Sequence, residues 1–210
     1  MKKQGTLVVV SGFAGTGKGT VMKELLGRYD SYALSISATT RNPRQGEVDG
    51  REYFFKTKEE FQQMIEENAF VEYACYVGNY YGTPKKYVEE QLAAGKDVIL
   101  EIEIQGALNI KSQFPEALLL FIAPPSADVL KERLAGRGTE TEEVIEQRLA
   151  RAVEESKGIE NYDYLVVNDD LDECGETVHQ MIQSAGWKMS RREADVEELR
   201  RQISKFSKGE

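Results

Sequence analysis

The chain has 210 residues but only one histidine, one tryptophan, two cysteines and five prolines, and each scarcity excludes some chemistry. A lone imidazole, His179, set in a helical pattern near the end, cannot build a histidine-based metal cluster and is a poor basis for Ser-His-Asp hydrolysis. Cys75 and Cys174 lack CxxC spacing. In a chain of ordinary domain size they read as reduced thiols, which makes the cytoplasm the expected address. No apolar run approaches the roughly 18 residues of a membrane-spanning helix, so neither a membrane span nor an export segment is expected. A surplus of positive charge is also missing. The 27 Lys and Arg against 36 Asp and Glu leave a net charge of −9, the wrong sign for sequence-independent binding of nucleic acid. Any anionic ligand must therefore be held by local clusters of Arg and Lys. Repeats and low-complexity tracts are absent as well. The length, with 40% hydrophobic residues, fits one substantial core.

What is present begins with a glycine-rich segment. The apolar run Leu7 to Val10 leads directly into Gly12, Phe13, Ala14, Gly15, Thr16, Gly17, Lys18, Gly19 and Thr20. A strand, a turn with three spaced glycines, one lysine and a following helical pattern make a phosphate cradle. Backbone N–H groups converge where no Cβ obstructs them, the helix N-terminus adds positive partial charge, and Lys18 can reach the β- and γ-phosphates. The strict pattern places Ser or Thr directly after the lysine as a magnesium ligand. Here Gly19 stands there, followed by Thr20, so direct metal ligation from the loop is not expected.

Further apolar runs at Ala33 to Ser37, Val98 to Ile104, Ala117 to Ile122 and Tyr164 to Val167 read as strands buried on both faces. Helical patterns at Val21 to Leu26, Tyr87 to Ala94 and Val129 to Leu134 alternate with them. This is the signature of an α/β fold, a mostly parallel, doubly wound sheet flanked by helices. Thr57 with Glu60 predicts a capping box, and Thr83-Pro84 an N-cap with a first-turn proline. Two segments break the alternation. Residues 39 to 82 hold short β-like pieces, Tyr53 to Phe55 and Phe70 to Val77, and predict a small β-rich insertion. Residues 135 to 151 are crowded with charge, Gly136-Arg-Gly138 marking a hinge before another helix. Beyond Lys188, charges of both signs surround Val196, Leu199, Ile203 and Phe206, an amphipathic helix suited to packing on the domain or on a neighbouring subunit.

Within the insertion, Arg41 and Arg44 lie three apart with Tyr53 downstream. Two forked guanidiniums with the hydroxyls of Tyr53 and Tyr81 make a plausible clamp for a monophosphate dianion. Glu101 and Glu103 lie at the C-terminal end of a parallel-strand pattern, where ligands of α/β sheets bind.

Several motifs in order carry a family resemblance: the glycine loop, Ser35-Ile-Ser-Ala-Thr-Thr-Arg-Asn-Pro-Arg-Gln-Gly-Glu47, Gly78-Asn-Tyr-Tyr-Gly-Thr83, Phe121-Ile-Ala-Pro-Pro-Ser126 and Arg137-Gly-Thr-Glu-Thr-Glu-Glu143. Over about residues 5 to 185 the chain resembles guanylate kinases. The resemblance implies a P-loop kinase domain over residues 5 to 187, with a GMP-binding insertion at about 37 to 86, a helical lid at about 126 to 156 and a C-terminal helical extension at 188 to 210. It implies phosphoryl transfer from ATP to GMP or dGMP with Mg²⁺, and no nucleic-acid or membrane partner. By position, Ser37, Arg41, Arg44, Glu47, Tyr53, Glu72, Tyr81, Thr83 and Glu103 match the GMP site. Lys18, Arg41, Arg133, Arg137 and Arg148 match the catalytic and lid cations. Many relatives carry aspartates where this chain has Glu101 and Glu103, and Pro-Ser where it has Phe13-Ala14. Glu101 is a candidate metal ligand, directly or through water. Two other readings stand beside this one: a non-catalytic interaction domain of the same fold, and a kinase for another nucleoside monophosphate.

Overall fold

A computed structural model describes residues 5–76, 78–136 and 141–206. In chain order the elements are β1 (Leu7–Ser11), α1 (Lys18–Arg28), β2 (Tyr32–Leu34), β3 (Ala38–Thr39), β4 (Phe54–Phe55), α2 (Lys58–Glu66), β5 (Phe70–Tyr76), β6 (Asn79–Pro84), α3 (Lys85–Ala93), β7 (Asp97–Glu101), α4 (Ile104–Gln113), β8 (Leu118–Ala123), α5 (Ala127–Ala135), α6 (Glu142–Ser156), β9 (Tyr164–Val167), α7 (Leu171–Ala185) and α8 (Glu193–Ile203). A five-stranded sheet of order β2-β7-β1-β8-β9 has every pair parallel. The α/β expectation holds.

Alternation along β1 divides the core in two. Val8 and Val10 join Leu118, Leu120 and Ile122 beneath α1 and α7, through Val21, Met22, Leu25, Cys174, Val178 and Ile182. Leu7 and Val9 join Val98, Leu100 and Leu119 on the other face, covered by Val88 of α3 and by Ala107 and Ile110 of α4. Successive strand side chains point to opposite faces, and helices on both sides keep each run dry. Among the described residues no helix is long and apolar enough to cross a membrane.

The second sheet, β4-β3-β6-β5, is mixed. It has a small core of Ala38, Phe61 and Phe70, in which the Phe61 and Phe70 rings stack with centroids 4.5 Å apart. The capping box at the head of α2 is formed. Thr57 Oγ1 accepts from the Glu60 N–H, and the Glu60 carboxylate accepts from the Thr57 N–H. This arrangement satisfies two helix-end donors and contributes about 1 kcal/mol.

Four expectations need correcting. The strand over Val98 to Ile104 stops at Glu101, and Ile104 opens α4, which the alternation of acid and isoleucine had concealed. The strand at Ala33 to Ser37 is the shorter β2, Tyr32–Leu34. Strand β9 is an edge strand buried only at Val166, with Tyr164, Leu165 and Val167 exposed. Thr83 does not cap α3: it belongs to β6, Pro84 takes the N-cap position, and the Thr83 hydroxyl is used elsewhere.

Candidate functional site

Strands β2, β7 and β1 lie side by side and parallel, so their C-terminal ends bring three loops to one edge of the sheet. From β1 comes the glycine loop, from β2 the segment Ser35 to Arg41, and from β7 the acids Glu101 and Glu103. At Gly17 the chain turns into α1 with φ +85°, a left-handed conformation that favours glycine. A cavity of about 300 Å³ opens here, lined by Ala14, Gly15, Gly17, Lys18, Gly19, Thr20 and Glu101. The Lys18 ammonium lies across the loop and donates to the carbonyls of Gly12 at 2.6 Å and Phe13 at 3.1 Å. Phe13 points away from the cavity. It packs beside Leu130, Leu134 and Ala152 of α5 and α6 and edge-on to Phe121 at 5.0 Å. This apolar anchor ties the loop to the helix pair and gives the Phe13-Ala14 variation a physical role.

In the segment after β2, Arg41 and Arg44 converge on one acid. The Arg41 guanidinium donates twice to Glu47, at 3.0 and 2.9 Å, and the Arg44 backbone N–H donates to the same carboxylate at 2.7 Å. The Arg41 side chain, and then the Arg44 amide, hold Glu47 below the usual carboxylate range. Arg41 also lies over the Tyr53 ring, 5.2 Å from its centroid, and Tyr53 meets Tyr81 edge to face at 6.0 Å. Arg41, Tyr53 and Tyr81 thus lie together, with Glu47 bracing Arg41, and Arg44 joins them through its backbone N–H. Ser37 lies just before β3, and its carbonyl accepts from the Phe54 N–H.

Glu72 is the buried acid, only 6% exposed. One carboxylate oxygen accepts from the fully buried Thr83 hydroxyl at 2.8 Å. Burial pushes its pKa up to about 7, and the Thr83 hydrogen bond opposes the rise. The other oxygen rests against Gly106 in the first turn of α4, where an added Cβ would stand 2.8 Å from it. Glu101 and Glu103 reach solvent on one side, yet the protein packed around them desolvates the charged form and raises both pKa values; Lys18 opposes the rise at Glu101. At Glu103 the Glu155 charge adds to the rise and Arg151 opposes it. Arg151 of α6 donates to Glu103 at 3.1 Å and to Glu155 at 2.8 Å, joining the helix pair to the end of β7. Among the described residues no group of three His, Cys, Asp or Glu is placed to hold a metal unaided.

Arg133 falls in the last turn of α5 and Arg148 on α6. Arg137, with the Gly136-Arg-Gly138 hinge beyond Gly136, lies outside the described residues. Sequence reasoning missed Gly106, Arg151 and Asn168. The Asn168 side chain is 6% exposed and donates to the Thr16 carbonyl at 2.7 Å. Its backbone N–H donates to Ala123 at 2.8 Å, and a Cβ on Gly17 would sit 2.7 Å from its amide nitrogen. It clamps the glycine loop from beneath, across 152 residues of sequence, with only its place just past the end of a strand as a local signal. Replacing Asn168 by Ala leaves the Thr16 carbonyl unpaired, a cost of about 1–3 kcal/mol. The expected outcome is binding of a triphosphate-bearing ligand weakened about tenfold at the glycine loop, with binding of a monophosphate at the Arg41 cluster unmoved. Calorimetric titration with each ligand in turn measures this, and equal shifts in both constants would contradict a clamp on the loop alone.

Comparison with known proteins places the geometry in context. The family model described as guanylate kinase matches residues 4–185. A guanylate kinase of Caldanaerobacter subterraneus subsp. tengcongensis is 52% identical over 182 residues, 87% of this chain and 88% of that protein. One of Synechocystis is 53% identical over 183 residues, 87% of this chain and 94% of the relative. A crystal structure of guanylate kinase from Anaplasma phagocytophilum superimposes with a TM-score of 0.75 at 31% identity, covering 91% of each chain.

Proposed function

The chain belongs to the guanylate kinase family and is an ATP:GMP phosphotransferase, and from that premise we propose how its residues divide the work. The glycine loop from Gly12 to Thr20 holds the ATP phosphates, with Lys18 leaving the Gly12 and Phe13 carbonyls for the β- and γ-phosphates. The insertion around the mixed sheet, about residues 37 to 86, binds GMP or dGMP. Arg41, Arg44, Tyr53 and Tyr81 receive the phosphate, with Glu47 bracing the two arginines. Glu72, Thr83, Ser37 and Glu103 read the guanine. Helices α5 and α6, about residues 126 to 156, form a lid that carries Arg133, Arg137 and Arg148.

The observation that carries this reading is Glu72. A carboxylate buried to 6% exposure, with one hydroxyl beside it and a pKa near 7, is costly unless a ligand supplies donors. Guanine N1–H and its amino group supply two. Adenine presents an acceptor at N1 and would leave both sides unpaired.

In the transfer, a phosphate oxygen of GMP forms a bond to the γ-phosphorus of ATP. The bond from that phosphorus to the β–γ bridging oxygen breaks, and ADP leaves with the electron pair. The attacking oxygen is already ionised near neutral pH, so no histidine is required. Positioning, and neutralisation of charge by Lys18 and the lid arginines, carry the catalysis. Mg²⁺ fits the donor set at the loop. Glu101 lines the same cavity as the loop, and this ion binds through one or two protein oxygens, water and substrate phosphates rather than an all-protein cage. It would neutralise charge on the triphosphate there. Two free thiols, Cys75 and Cys174, are in keeping with a cytoplasmic address.

The test compares GMP, dGMP, AMP, UMP and dTMP as acceptors by kcat/KM. GMP and dGMP should exceed AMP by about 10⁴-fold, as expected for a site built to pair donors on its substrate. Comparable rates with AMP would overturn the role of Glu72.

A further inference from the structure

Helix α8 carries Val196, Leu199 and Ile203, and the 3-10 turn after it adds Phe206. Their spacing of three, four and three is that of the a and d positions of a heptad. From Leu199 onward the stripe nevertheless faces solvent, while Val196 is half-buried: Leu199 is 55%, Ile203 54% and Phe206 86% exposed. A helix of 11 residues is marginal in water by itself, because nucleation is costly and its stability comes mainly from packing an apolar face. The rest of the domain supplies little of that packing, since every described residue from Leu199 onward is exposed. The helix also lies past the end of the family match at residue 185 and bears none of the residues assigned to either nucleotide.

We propose that α8 pairs with a second copy of this chain in a short parallel two-helix zipper about a twofold axis, placing Val196, Leu199, Ile203 and Phe206 in successive layers, each against its counterpart. The residue types favour this arrangement. β-branched Val196 and Ile203 occupy a, and Leu199 occupies d, the combination that selects two parallel strands. The flanking charges agree. Asp195, which also pairs with Arg192 of its own chain, stands at g opposite Arg200 of the partner subunit at e, and symmetry supplies the contact twice. An antiparallel pairing would set Arg200 against the partner's Arg200, like charge on like charge. Glu197, Glu198, Arg201 and Lys205 fall at outward positions, where Glu198 and Arg201 already pair within the helix. From residue 188 to 206 there are six cations (Lys188, Arg191, Arg192, Arg200, Arg201, Lys205) and four acids (Glu193, Asp195, Glu197, Glu198). The tail is therefore free of the −9 net charge that opposes association elsewhere on the chain. A twofold pairing uses the stripe on both chains and closes the assembly.

Light scattering on the full chain over a concentration series tests this. The mass should rise toward twice 23.7 kDa. The double variant Leu199→Asp with Ile203→Asp should stay at 23.7 kDa throughout, with its near-UV spectrum and GMP-phosphorylating turnover unchanged. Arg200→Asp should raise the dissociation constant by about tenfold or more through repulsion with the partner's Asp195, and Asp195→Arg added to it should restore pairing. Ile203→Cys, in a Cys75→Ser background, should oxidise to a disulfide-linked dimer. A wild-type chain that remains monomeric at high micromolar concentration overturns the proposal, as does a dimer that survives the double variant. A dimer lost in that variant but not cross-linked through position 203 overturns the parallel register.

Discussion

Replacing Glu72 by Gln lowers kcat/KM for GMP by about 10²-fold or more, while ATP binding is unchanged. The wild-type carboxylate offers two acceptors to the guanine edge. Glutamine keeps one and turns the other into a donor, facing an N–H in a site with almost no solvent. The loss combines a charge-assisted hydrogen bond with an unpaired buried donor, about 3 kcal/mol together. GDP production at subsaturating GMP measures it. A variant within threefold of wild type would remove Glu72 from base recognition.

The same residue sets a pH dependence with a definite sign. Burial raises the Glu72 pKa from 4.5 to about 7, and guanine requires the ionised form. The apparent KM for GMP should therefore rise by about tenfold between pH 8 and pH 6. The GMP phosphate also titrates near pH 6, and in the Glu72→Gln protein only that component remains. In the ligand-free fold the consequence is reversed. A raised carboxyl pKa means the folded state holds this proton more tightly than the unfolded chain does. The associated stability is fully present below pH 4.5 and is lost as pH rises through 7, about 3 kcal/mol in all. Denaturant midpoints across that window should fall for wild type and fall less for Glu72→Gln.

Lys18→Ala should lower kcat by about 10³-fold, the scale for removing one preorganised charge from a site where negative charge develops. The fold should survive. The Lys18 ammonium donates to loop carbonyls at its own cavity, Gly12 and Phe13, and Gly17 with Asn168 still shapes the turn. Single-turnover measurements with saturating ATP and GMP separate this loss from weaker binding. Turnover within tenfold of wild type would show that phosphate charge is neutralised elsewhere.

The glycine loop, the buried strands and the capping box of α2 were legible because each is a local pattern: a spacing, an apolar run, a Thr three residues before a Glu. Helix α4 was not. Ile102-Glu-Ile104 alternates like a strand, and what ends β7 at Glu101 is the pairing of neighbouring strands, which periodicity does not encode. The exposure of β9 is likewise a property of sheet order, since an edge strand and a central one can share the sequence Tyr-Leu-Val-Val. Of the candidate site, the pairing of Arg41 with Arg44 was readable from residue type and spacing, and Glu72 only from the family resemblance. Glu47 as a brace, Gly106 as the space for a carboxylate, Asn168 as a clamp and Arg151 as a link from α6 to Glu103 depend on contacts between distant parts of the chain. Thr83 shows the limit most clearly. Followed by proline it reads as a helix cap, yet the fold gives its hydroxyl to Glu72.

A crystal structure with GMP and a non-hydrolysable ATP analogue bound together is the most direct measurement. The triphosphate should lie in the glycine loop with Lys18 on its β- and γ-phosphates. GMP should lie with its phosphate against Arg41, Arg44, Tyr53 and Tyr81 and its base paired to Glu72, the two phosphate chains meeting end to end. Guanine bound away from Glu72, or a triphosphate outside the loop, would contradict this assignment.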